Sequence, residues 1–519
     1  MESPPASFDP NDSVGHWLER RAQSDGDRIA LIDADRSLDY RTLHERSLRC
    51  AAVLADAGIG RGDRIALLLW NRSAVLEIFF AVARLGAIAV PINVRFTAHE
   101  IHRLFEHCRP RLLIHEAELA QIAEAACSRC DPAPLRIACG DEPNAYEEAL
   151  ARSSALDRIE PVSSEDPLLL MYTSGTTGTP KGALLPHRKT LFNSRNAEIF
   201  FELSPADRVL VVVPLFHSFG LSILSLPTLY AGGTLVLERR FDPAAVWASV
   251  ERHRITFFGG VPTQFTALLD ALDRPTQGPR DLDSLRFLFT AGSAIAPEIV
   301  HGYQGHDLIL KQGFGQTETS ILCCLDSGDA LRKAGSVGRP VRHAEVQVVE
   351  LESLGEPPAK WRKTSVGETG EIVVRGPITM LGYWNDPEAT AEVMCDGWLR
   401  TGDLASVDTE GFLTLVGRGR DMYISGGENV YPAEIEAVLA EHPSIREAAV
   451  VGVPNEKWGE VGRAFLVLEP GFSLDADALR RWGAERLARF KHPADFVAIS
   501  ELPKTATGKV QKHRLQRDG

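Results

Sequence analysis

Residues 172–182, YTSGTTGTPKG, are the most informative stretch of this chain. Three glycines, five Ser or Thr hydroxyls and Lys181 stand together in this one segment. Glycines let backbone N–H groups point at a phosphate, while hydroxyls add hydrogen-bond donors and lysine adds positive charge. The Gly-Lys-Ser/Thr ending of a Walker A loop is missing. We therefore predict a phosphate-binding loop of another kind, with a solvated turn as the alternative.

The sequence around this loop predicts an α/β fold. Short apolar runs alternate with amphipathic segments: residues 64–70 and 87–92 are predicted strands, and residues 73–85 between them a buried helix. Continuous apolar strands separated by helices are typical of parallel sheets that are covered on both faces. The number of such units predicts more than one sheet. Further strands are predicted at residues 112–115, 208–213, 233–237, 256–258, 286–290 and 308–311.

Two helix starts carry local capping signals. Thr97 and Glu100 have the spacing of a capping box for a helix over residues 97–108. Asp242-Pro243 has the order of a cap followed by the first helical residue, and this helix is predicted to reach His253.

Residues 209–237 carry no Lys, Arg, Asp or Glu, which makes the run long enough for a membrane span. Two prolines and three glycines interrupt the run, however. We therefore predict a strand, a loop, a buried helix and a second strand here, and no transmembrane segment.

The pattern changes after about residue 335. Short strand-like pieces with glycine-rich turns, at residues 345–350, 370–375, 398–403 and 411–416, predict a small sheet or barrel. From about residue 421 the predicted order is helix, strand, strand, helix, strand, at residues 433–441, 448–453, 463–468, 476–490 and 496–499. These hundred or so residues are enough for a separate core.

Composition and charge exclude several classes of protein. The 519 residues are 44% hydrophobic and 24% charged, as in ordinary globular proteins, and the net charge of −14 disfavours binding to nucleic acid or anionic membranes. Eight cysteines are too few for a disulfide scaffold, and the pair Cys127 and Cys130 has no partner pair at zinc spacing. We expect free thiols and, because residues 1–13 do not resemble a signal peptide, a cytoplasmic protein.

Further segments carry side chains suited to a nucleotide. Residues 313–319 (GFGQTET) follow a predicted strand, where Phe314 could stack on a base and Glu318 could bind Mg²⁺. Asp403, in Thr401-Gly402-Asp403, suits ribose hydroxyls. Taken alone, residues 417–421 (GRGRD) and 425–429 (SGGEN) read as a linker or hinge, and residues 504–509 (KTATGK) read as a solvated tail.

His217 stands in residues 214–220 (PLFHSFG), at the end of a predicted strand. Taken alone, a histidine in such an apolar stretch is more often part of the core than a catalyst. No Ser-His-Asp arrangement is legible and there is no GxSxG elbow, so the sequence gives no support to a hydrolase.

In their order and spacing, the six motifs YTSGTTGTPKG, GFGQTET, TGD, GRGRD, SGGEN and KTATGK resemble those of the adenylate-forming (AMP-binding, ANL) superfamily. Over essentially its whole length the chain resembles the acyl- and aryl-CoA synthetase branch. The resemblance implies an α/β N-terminal domain for AMP and acyl binding, residues 1–418, with two doubly wound sheets and a small β-barrel. It implies a small mobile α+β C-terminal domain at residues 419–519.

The resemblance also implies a two-step acid–thiol ligase reaction that needs ATP, Mg²⁺ and CoA. A carboxylate attacks the α-phosphate of ATP, which gives acyl-AMP and pyrophosphate; a thiol then attacks the acyl carbonyl and releases AMP. The substrate itself is the first nucleophile, which agrees with the missing triad.

Site residues carry over from the family motifs as follows. Nucleotide binding is implied for Thr173, Ser174, Gly175, Thr176, Thr177, Gly178, Lys181, Gly313, Phe314, Gly315, Gln316, Asp403 and Arg418. Catalytic roles are implied for Lys509, Thr317, Glu318 and His217, with Glu318 as the metal ligand. CoA binding is implied for Ser425, Gly426, Gly427 and Glu428, and Arg420 takes the hinge position, where the family more often has Lys or Asp.

The acyl pocket is implied at His217, Val261, Thr263, Ala291, Gly292 and Ser293. None of these side chains carries a permanent charge at neutral pH, which favours a neutral medium-chain fatty or aromatic acid. The alternatives are an enzyme that loads an acyl carrier protein, a non-catalytic nucleotide-binding relative and a luciferase-like oxygenase. The sequence leaves the oligomeric state open, a homodimer included.

Overall fold

The computed structural model describes residues 13–34, 36–140, 144–173, 181–274, 280–292, 295–418, 421–425, 428–430, 432–455, 458–484, 486–487, 489–505 and 510–516. The chain divides into two compact units. The first comprises residues 1–334, 338–345 and 374–399, and the second residues 335–337, 346–373 and 400–519. The domain boundary after residue 418 stays a prediction.

The elements up to residue 201 alternate as the sequence predicts. In chain order they are α1 (Trp17–Asp25), β1 (Ile29–Asp33), β2 (Arg36–Asp39), α2 (Tyr40–Asp56), β3 (Arg64–Leu68), α3 (Ser73–Arg84), β4 (Ile88–Pro91), α4 (Ala98–Cys108), β5 (Leu112–Glu116), α5 (Ala120–Cys127), β6 (Leu135–Cys139), α6 (Ala145–Arg152), β7 (Pro167–Thr173), β8 (Lys181–Pro186) and α7 (His187–Phe201).

The next elements, up to residue 340, continue the alternation. They are β9 (Arg208–Val211), α8 (Leu226–Ala231), β10 (Thr234–Leu237), α9 (Pro243–His253), β11 (Phe257–Gly260), α10 (Pro262–Asp273), β12 (Phe287–Thr290), α11 (Pro297–Gln304), β13 (Leu310–Gln316), β14 (Ser320–Cys324) and β15 (Arg339–Pro340). A π-helix, Phe219–Ser225, precedes α8.

Shorter strands dominate the remainder. The elements are β16 (Glu345–Val349), β17 (Thr369–Arg375), β18 (Gly382–Tyr383), α12 (Pro387–Val393), β19 (Met394–Cys395), β20 (Trp398–Val407), β21 (Leu413–Arg418), β22 (Tyr423–Ser425), β23 (Glu428–Val430), α13 (Pro432–Ala440), β24 (Ile445–Asn455), β25 (Gly459–Leu468), α14 (Ala476–Ala484), β26 (Asp495–Ala498) and α15 (Lys512–Leu515).

Two mixed sheets form the centre of the first unit. Within the described ranges the larger sheet has nine strands in the order β15-β14-β13-β12-β11-β9-β10-β1-β2, and its strands from β13 to β1 run parallel. The second has seven strands in the order β18-β8-β7-β4-β3-β5-β6, parallel from β7 to β6. Fully buried aromatic side chains, such as Trp247, Phe258 and Tyr303, fill the core against the larger sheet.

The other two sheets are smaller. An antiparallel sheet runs in the order β16-β17-β20-β19, with β21 paired to β20. The C-terminal sheet has the order β23-β22-β25-β24, and β26 pairs in parallel with β25. Its helix-covered face buries Tyr423, Ile435 and Phe496. The predicted α/β fold class, with two large sheets, a small antiparallel sheet and a small C-terminal sheet domain, is confirmed.

Several predictions that rest on short stretches of sequence are confirmed. Thr97 and Glu100 form both hydrogen bonds of a capping box, and the Asp242 side chain accepts from Ala245 N at 2.8 Å. Residues 209–237 form β9, a loop, the π-helix with α8, and β10, as predicted. No helix in the described part of the chain combines the length and the apolar character of a membrane span. All eight cysteines are free thiols.

Several predicted element ends are wrong, two of them by more than four residues. The strand predicted to end at Lys311 is β13, which continues to Gln316, so four residues of the GFGQTET motif lie in a strand and not in a loop. The helix predicted over residues 476–490 ends at Ala484, one residue after Gly483, which is a poor helix former.

Candidate active site

The base of the predicted phosphate loop is a β-hairpin. Thr173 ends β7 opposite Lys181, which begins β8, and the Thr173 hydroxyl donates to the Lys181 carbonyl at 3.4 Å. A side chain at Gly182 would meet Leu170 Cδ1 at 2.9 Å, so any larger residue would have to displace that leucine side chain. Five predicted phosphate-binding residues lie outside the described residues: Ser174, Gly175, Thr176, Thr177 and Gly178.

Lys181 points across the aromatic ring of Tyr383. Its ammonium lies 5.1 Å from the ring centroid and 3.8 Å from Glu392 Oε2, and its side chain is 25% exposed. An ammonium over a tyrosine face is attracted by the ring electrons. Because β18 pairs with β8, Tyr383 is held beside the start of β8.

The GFGQTET motif comprises the end of β13 and the turn to β14. A side chain at Gly313 would meet the Phe289 ring at 2.7 Å, and one at Gly315 would collide with the backbone of Ser320. Gln316 and Thr319 close the turn with two hydrogen bonds, each of 3.2 Å. The glycines therefore serve close packing at a tight turn, which presents the half-buried Phe314, Thr317 and Glu318.

Glu318 is held by the segment after β17. Met380 N donates to the Glu318 carbonyl at 2.8 Å, and the Tyr383 hydroxyl donates to Glu318 Oε1 at 3.0 Å. Tyr383 therefore lies between the Lys181 ammonium and the Glu318 carboxylate. Sequence reasoning missed Tyr383, because nothing in residues 382–390 (GYWNDPEAT) signals that its hydroxyl meets a carboxylate 65 positions earlier.

The oxygen donors here suit a magnesium ion. Mg²⁺ prefers hard oxygen ligands and is commonly bound by one or two carboxylates together with substrate phosphates and water. Glu318 supplies such a carboxylate beside the Thr317 hydroxyl. The described residues contain no group of three or more His, Cys, Asp or Glu that would form an all-protein metal cage. The residues present therefore fit a metal that arrives with a nucleotide.

His217 lies in the loop after β9, next to the GFGQTET turn. The neighbouring Ser218 Oγ is 3.4 Å from Thr317 Oγ1. Burial, helped by the charge of Arg95, lowers the pKa of His217 to about 4, so its ring is neutral at pH 7. His217 Nε2 is buried and has no hydrogen-bond partner within the described part of the chain. A neutral imidazole with a free nitrogen can meet an uncharged ligand.

The larger sheet brings the predicted acyl-binding residues to one edge. Gly260 of β11 pairs with Thr290 of β12, which pairs with Gln312 of β13, so the residues that come next after these three positions are neighbours. Val261, Ala291 and Gly313 are those residues. Gly292 has a positive φ of 96°, and Val261 Cγ1 would lie 3.8 Å from a Cβ there. Thr263 lies in the first turn of α10, and Ser293 lies outside the described residues.

Aromatic rings pack beside β11 and β12, just before the strand ends that carry Val261 and Ala291. The Phe219 ring stands edge-on to Phe289, with 5.8 Å between centroids, and would meet a Cβ at Gly259 at 2.9 Å. Phe219 begins the π-helix that follows His217. π-Helical turns occur frequently at functional sites.

In the second unit, Asp403 is buried and lies in β20 opposite Arg418 of β21. Its amide donates to Thr401 Oγ1 at 3.1 Å, and Gly402 before it has a φ of 69°. The antiparallel register thus aligns the two positions predicted to bind ribose. Only the backbone of Arg418 is described, and Arg420 lies outside the described residues.

The predicted CoA-binding residues belong to the β22–β23 hairpin. Ser425 is buried and pairs with both Glu428 and Gly459. Gly426 and Gly427, between the two strands, and Lys509 lie outside the described residues, and of Glu428 only the backbone is described. A β-bridge between Lys504 and Val510 brackets the segment that contains Lys509.

Comparison with known proteins adds to this geometry. Residues 18–384 match the family model described as AMP-binding enzyme, and residues 434–509 match the model described as the C-terminal domain of AMP-binding enzymes. Feruloyl-CoA synthase of an Amycolatopsis species is 39% identical over 509 residues, which cover 98% of this chain and 99% of that protein.

Two further comparisons agree. Indoleacetate–CoA ligase of Aromatoleum aromaticum is 40% identical over 511 residues, which cover 97% of this chain and 98% of that protein. The crystal structure of ATP-bound MatB from Rhodopseudomonas palustris is 28% identical, superposes with a TM-score of 0.88 and covers 98% of both chains. The family models and the near full-length relatives together show that this chain belongs to the AMP-binding enzyme family and, within it, to the branch of AMP-forming acid–CoA ligases.

Proposed function

We propose that this ligase activates a neutral carboxylic acid, aromatic or medium-chain, as its acyl-AMP, and that CoA is the acceptor. One observation supports the choice of acid: Val261 and Ala291 follow paired residues of β11 and β12, and neither these two side chains nor the neutral His217 ring carries a charge. A charged group on the acyl chain would lose its hydration there without gaining a partner. The relatives named for feruloyl and indoleacetate, two aromatic acyl groups, favour an aromatic acid.

In the first step, an oxygen of the substrate carboxylate forms a bond to the α-phosphorus of ATP. The bond from this phosphorus to the bridging oxygen breaks, and pyrophosphate leaves. Residues 173–181, with the Lys181 ammonium, bind the β- and γ-phosphates in this proposal. Thr317 binds the α-phosphate, and Phe314, Gly313, Gly315 and Gln316 flank the adenine. Glu318 would hold Mg²⁺, whose charge would offset that of the phosphates.

The proposal assigns three further residues to the adenylation step on the strength of the family motifs. Asp403 and Arg418 bind the ribose hydroxyls, which agrees with their alignment on β20 and β21. Lys509 neutralises charge between the carboxylate and the α-phosphate. Positive charge placed where negative charge develops accelerates such steps by roughly a hundred- to a thousand-fold.

In the second step, the thiolate of CoA attacks the acyl carbonyl carbon, and the bond to the AMP oxygen breaks. The proposal assigns Ser425, Gly426, Gly427 and Glu428 to the pantetheine arm, since glycines allow close approach of a ligand to the backbone. Arg420 is the proposed hinge between the two steps.

The test is AMP release with ATP, Mg²⁺ and a panel of acids, with and without CoA. The panel spans benzoates, cinnamates, arylacetates, dicarboxylates and fatty acids of short, medium and long chain. We expect CoA-dependent AMP release with neutral aromatic or medium-chain acids and none with dicarboxylates.

Pyrophosphate exchange without CoA-dependent AMP release would show that CoA is the wrong acceptor and direct attention to a carrier protein. A preference for dicarboxylates would refute the assignment of an uncharged pocket. The variant His217→Asp tests the same pocket by placing a carboxylate in it. This carboxylate should repel the substrate carboxylate and lower kcat/KM for every acid in the panel.

A further inference from the structure

Lys189 is a buried lysine that the roles above do not use. It is the third residue of α7, its side chain is 2% exposed, and among the described residues its ammonium donates to Ser320 Oγ. A buried ammonium is unfavourable unless it is paired and hydrogen-bonded. Its position therefore calls for a function besides packing.

Ser320 is the residue at which the GFGQTET turn enters β14. It has a φ of 62°, in the left-handed region that residues other than glycine seldom adopt. Gly315 packs directly against the Ser320 backbone. The hydrogen bond from Lys189 thus holds a strained residue two positions after Glu318, on the turn that presents Thr317 and Glu318.

The residue before Lys189 holds the segment that hydrogen-bonds to Glu318. Arg188 Nη1 donates to the carbonyls of Pro377 and Thr379, each at 2.8 Å, and the next amide, Met380 N, donates to the Glu318 carbonyl at 2.8 Å. The first turn of α7 therefore contacts both segments that flank Glu318. The pKa of Lys189 is about 7, because burial lowers it while the charge of Glu318 acts to raise it.

We propose that Lys189 is a positioning residue which, through Ser320, fixes the turn that presents Thr317 and Glu318 to the phosphates of magnesium-bound ATP. This inference rests on the proposed function, in which Thr317 and Glu318 bind those groups. Lys189 itself contacts no substrate; its hydrogen bond to Ser320 holds the turn in one arrangement before ATP binds.

The test compares Lys189→Met with Ser320→Ala and with the double variant. Methionine is one atom shorter than lysine and lacks the terminal amino group that bonds to Ser320. Binding of MgATP without acid is measured by calorimetry, and binding of MnATP by electron paramagnetic resonance, so that neither readout needs turnover. Each single variant should weaken binding by up to about tenfold, as expected for the loss of one hydrogen bond.

The double variant should bind no more weakly than either single variant, because both changes remove the same contact. Lys311→Met is the matched control. Lys311 is equally buried in β13, but its ammonium donates to the Phe200 carbonyl at 2.7 Å. This control should lower the melting temperature and leave MgATP binding unchanged.

Wild-type binding in Ser320→Ala would overturn the proposal, even if Lys189→Met failed to fold. The proposal would also be overturned if the fold-loss in MgATP affinity of the double variant equalled the product of the two single losses, since the two residues would then act separately. A wild-type enzyme that binds MgATP but forms no acyl-AMP with any acid would refute the proposed function instead, and the two failures are thereby distinguished.

Discussion

The hydrogen bond from Tyr383 to Glu318 yields the sharpest prediction. Tyr383→Phe removes the hydroxyl that lies 3.0 Å from Glu318 Oε1 and keeps the ring beneath the Lys181 ammonium. A hydrogen bond to a charged group contributes about 1.5–3 kcal/mol. Because Glu318 is partly exposed, water can hydrogen-bond to its carboxylate in place of the lost hydroxyl. The lower figure, about 1.5 kcal/mol, therefore applies. We expect roughly tenfold weaker binding of MgATP.

The assay for Tyr383→Phe is a magnesium titration of acid-dependent ATP–pyrophosphate exchange, combined with calorimetric binding of MgATP. The half-maximal magnesium concentration should rise about tenfold, while the rate at saturating magnesium should change little. Tyr303→Phe is the control, because the buried Tyr303 hydroxyl donates to the Phe265 carbonyl at 2.7 Å, in the core against the larger sheet. An unchanged magnesium requirement in Tyr383→Phe would refute the assignment of Glu318 as the metal ligand held by Tyr383.

Three other substitutions test separate parts of the reasoning. Lys509→Ala should abolish acyl-AMP formation and spare thioester formation from synthetic acyl-AMP; equal loss in both half-reactions would contradict a lysine used only for adenylation. Gly427→Trp should do the reverse, and normal CoA turnover in that variant would remove its pantetheine assignment. Burial lowers the pKa of His187 from 6.5 to about 4, so the unfolded chain binds the extra proton and stability should fall as pH drops from 6.5 to 4. His187→Leu should therefore reduce the pH dependence of the unfolding free energy by about 1.4 kcal/mol per pH unit in that range. Urea unfolding at several pH values measures this dependence, and the same dependence in His187→Leu as in the wild type would refute the prediction.

Predictions from sequence succeeded where the cause lies within a few residues. The caps at Thr97 and Asp242 were legible because a capping hydrogen bond joins residues three positions apart. Strand–helix alternation was legible because each apolar run carries its own periodicity. The division of residues 209–237 into strand, loop, helix and strand followed from its prolines and glycines.

The wrong end of β13 has a different cause. Gly313 and Gly315 suggested a loop, because glycine in a sequence usually marks a turn. In the structure they allow the Phe289 ring and the Ser320 backbone to approach a continuing strand. A sequence shows that a position lacks a side chain, but it does not show which neighbour occupies the space.

The sequence by itself identified the family and supplied the proposed two-step chemistry and most of the proposed nucleotide-binding residues, because the motifs that carry them are short and contiguous, such as residues 172–182 and 313–319. Only the tertiary structure placed Tyr383 between Lys181 and Glu318, and Lys189 behind Ser320. These pairs are separated by 65 to 202 positions in the chain. The register of β8 with β18 and the packing of α7 against β14 bring them together, and neither can be read from local periodicity.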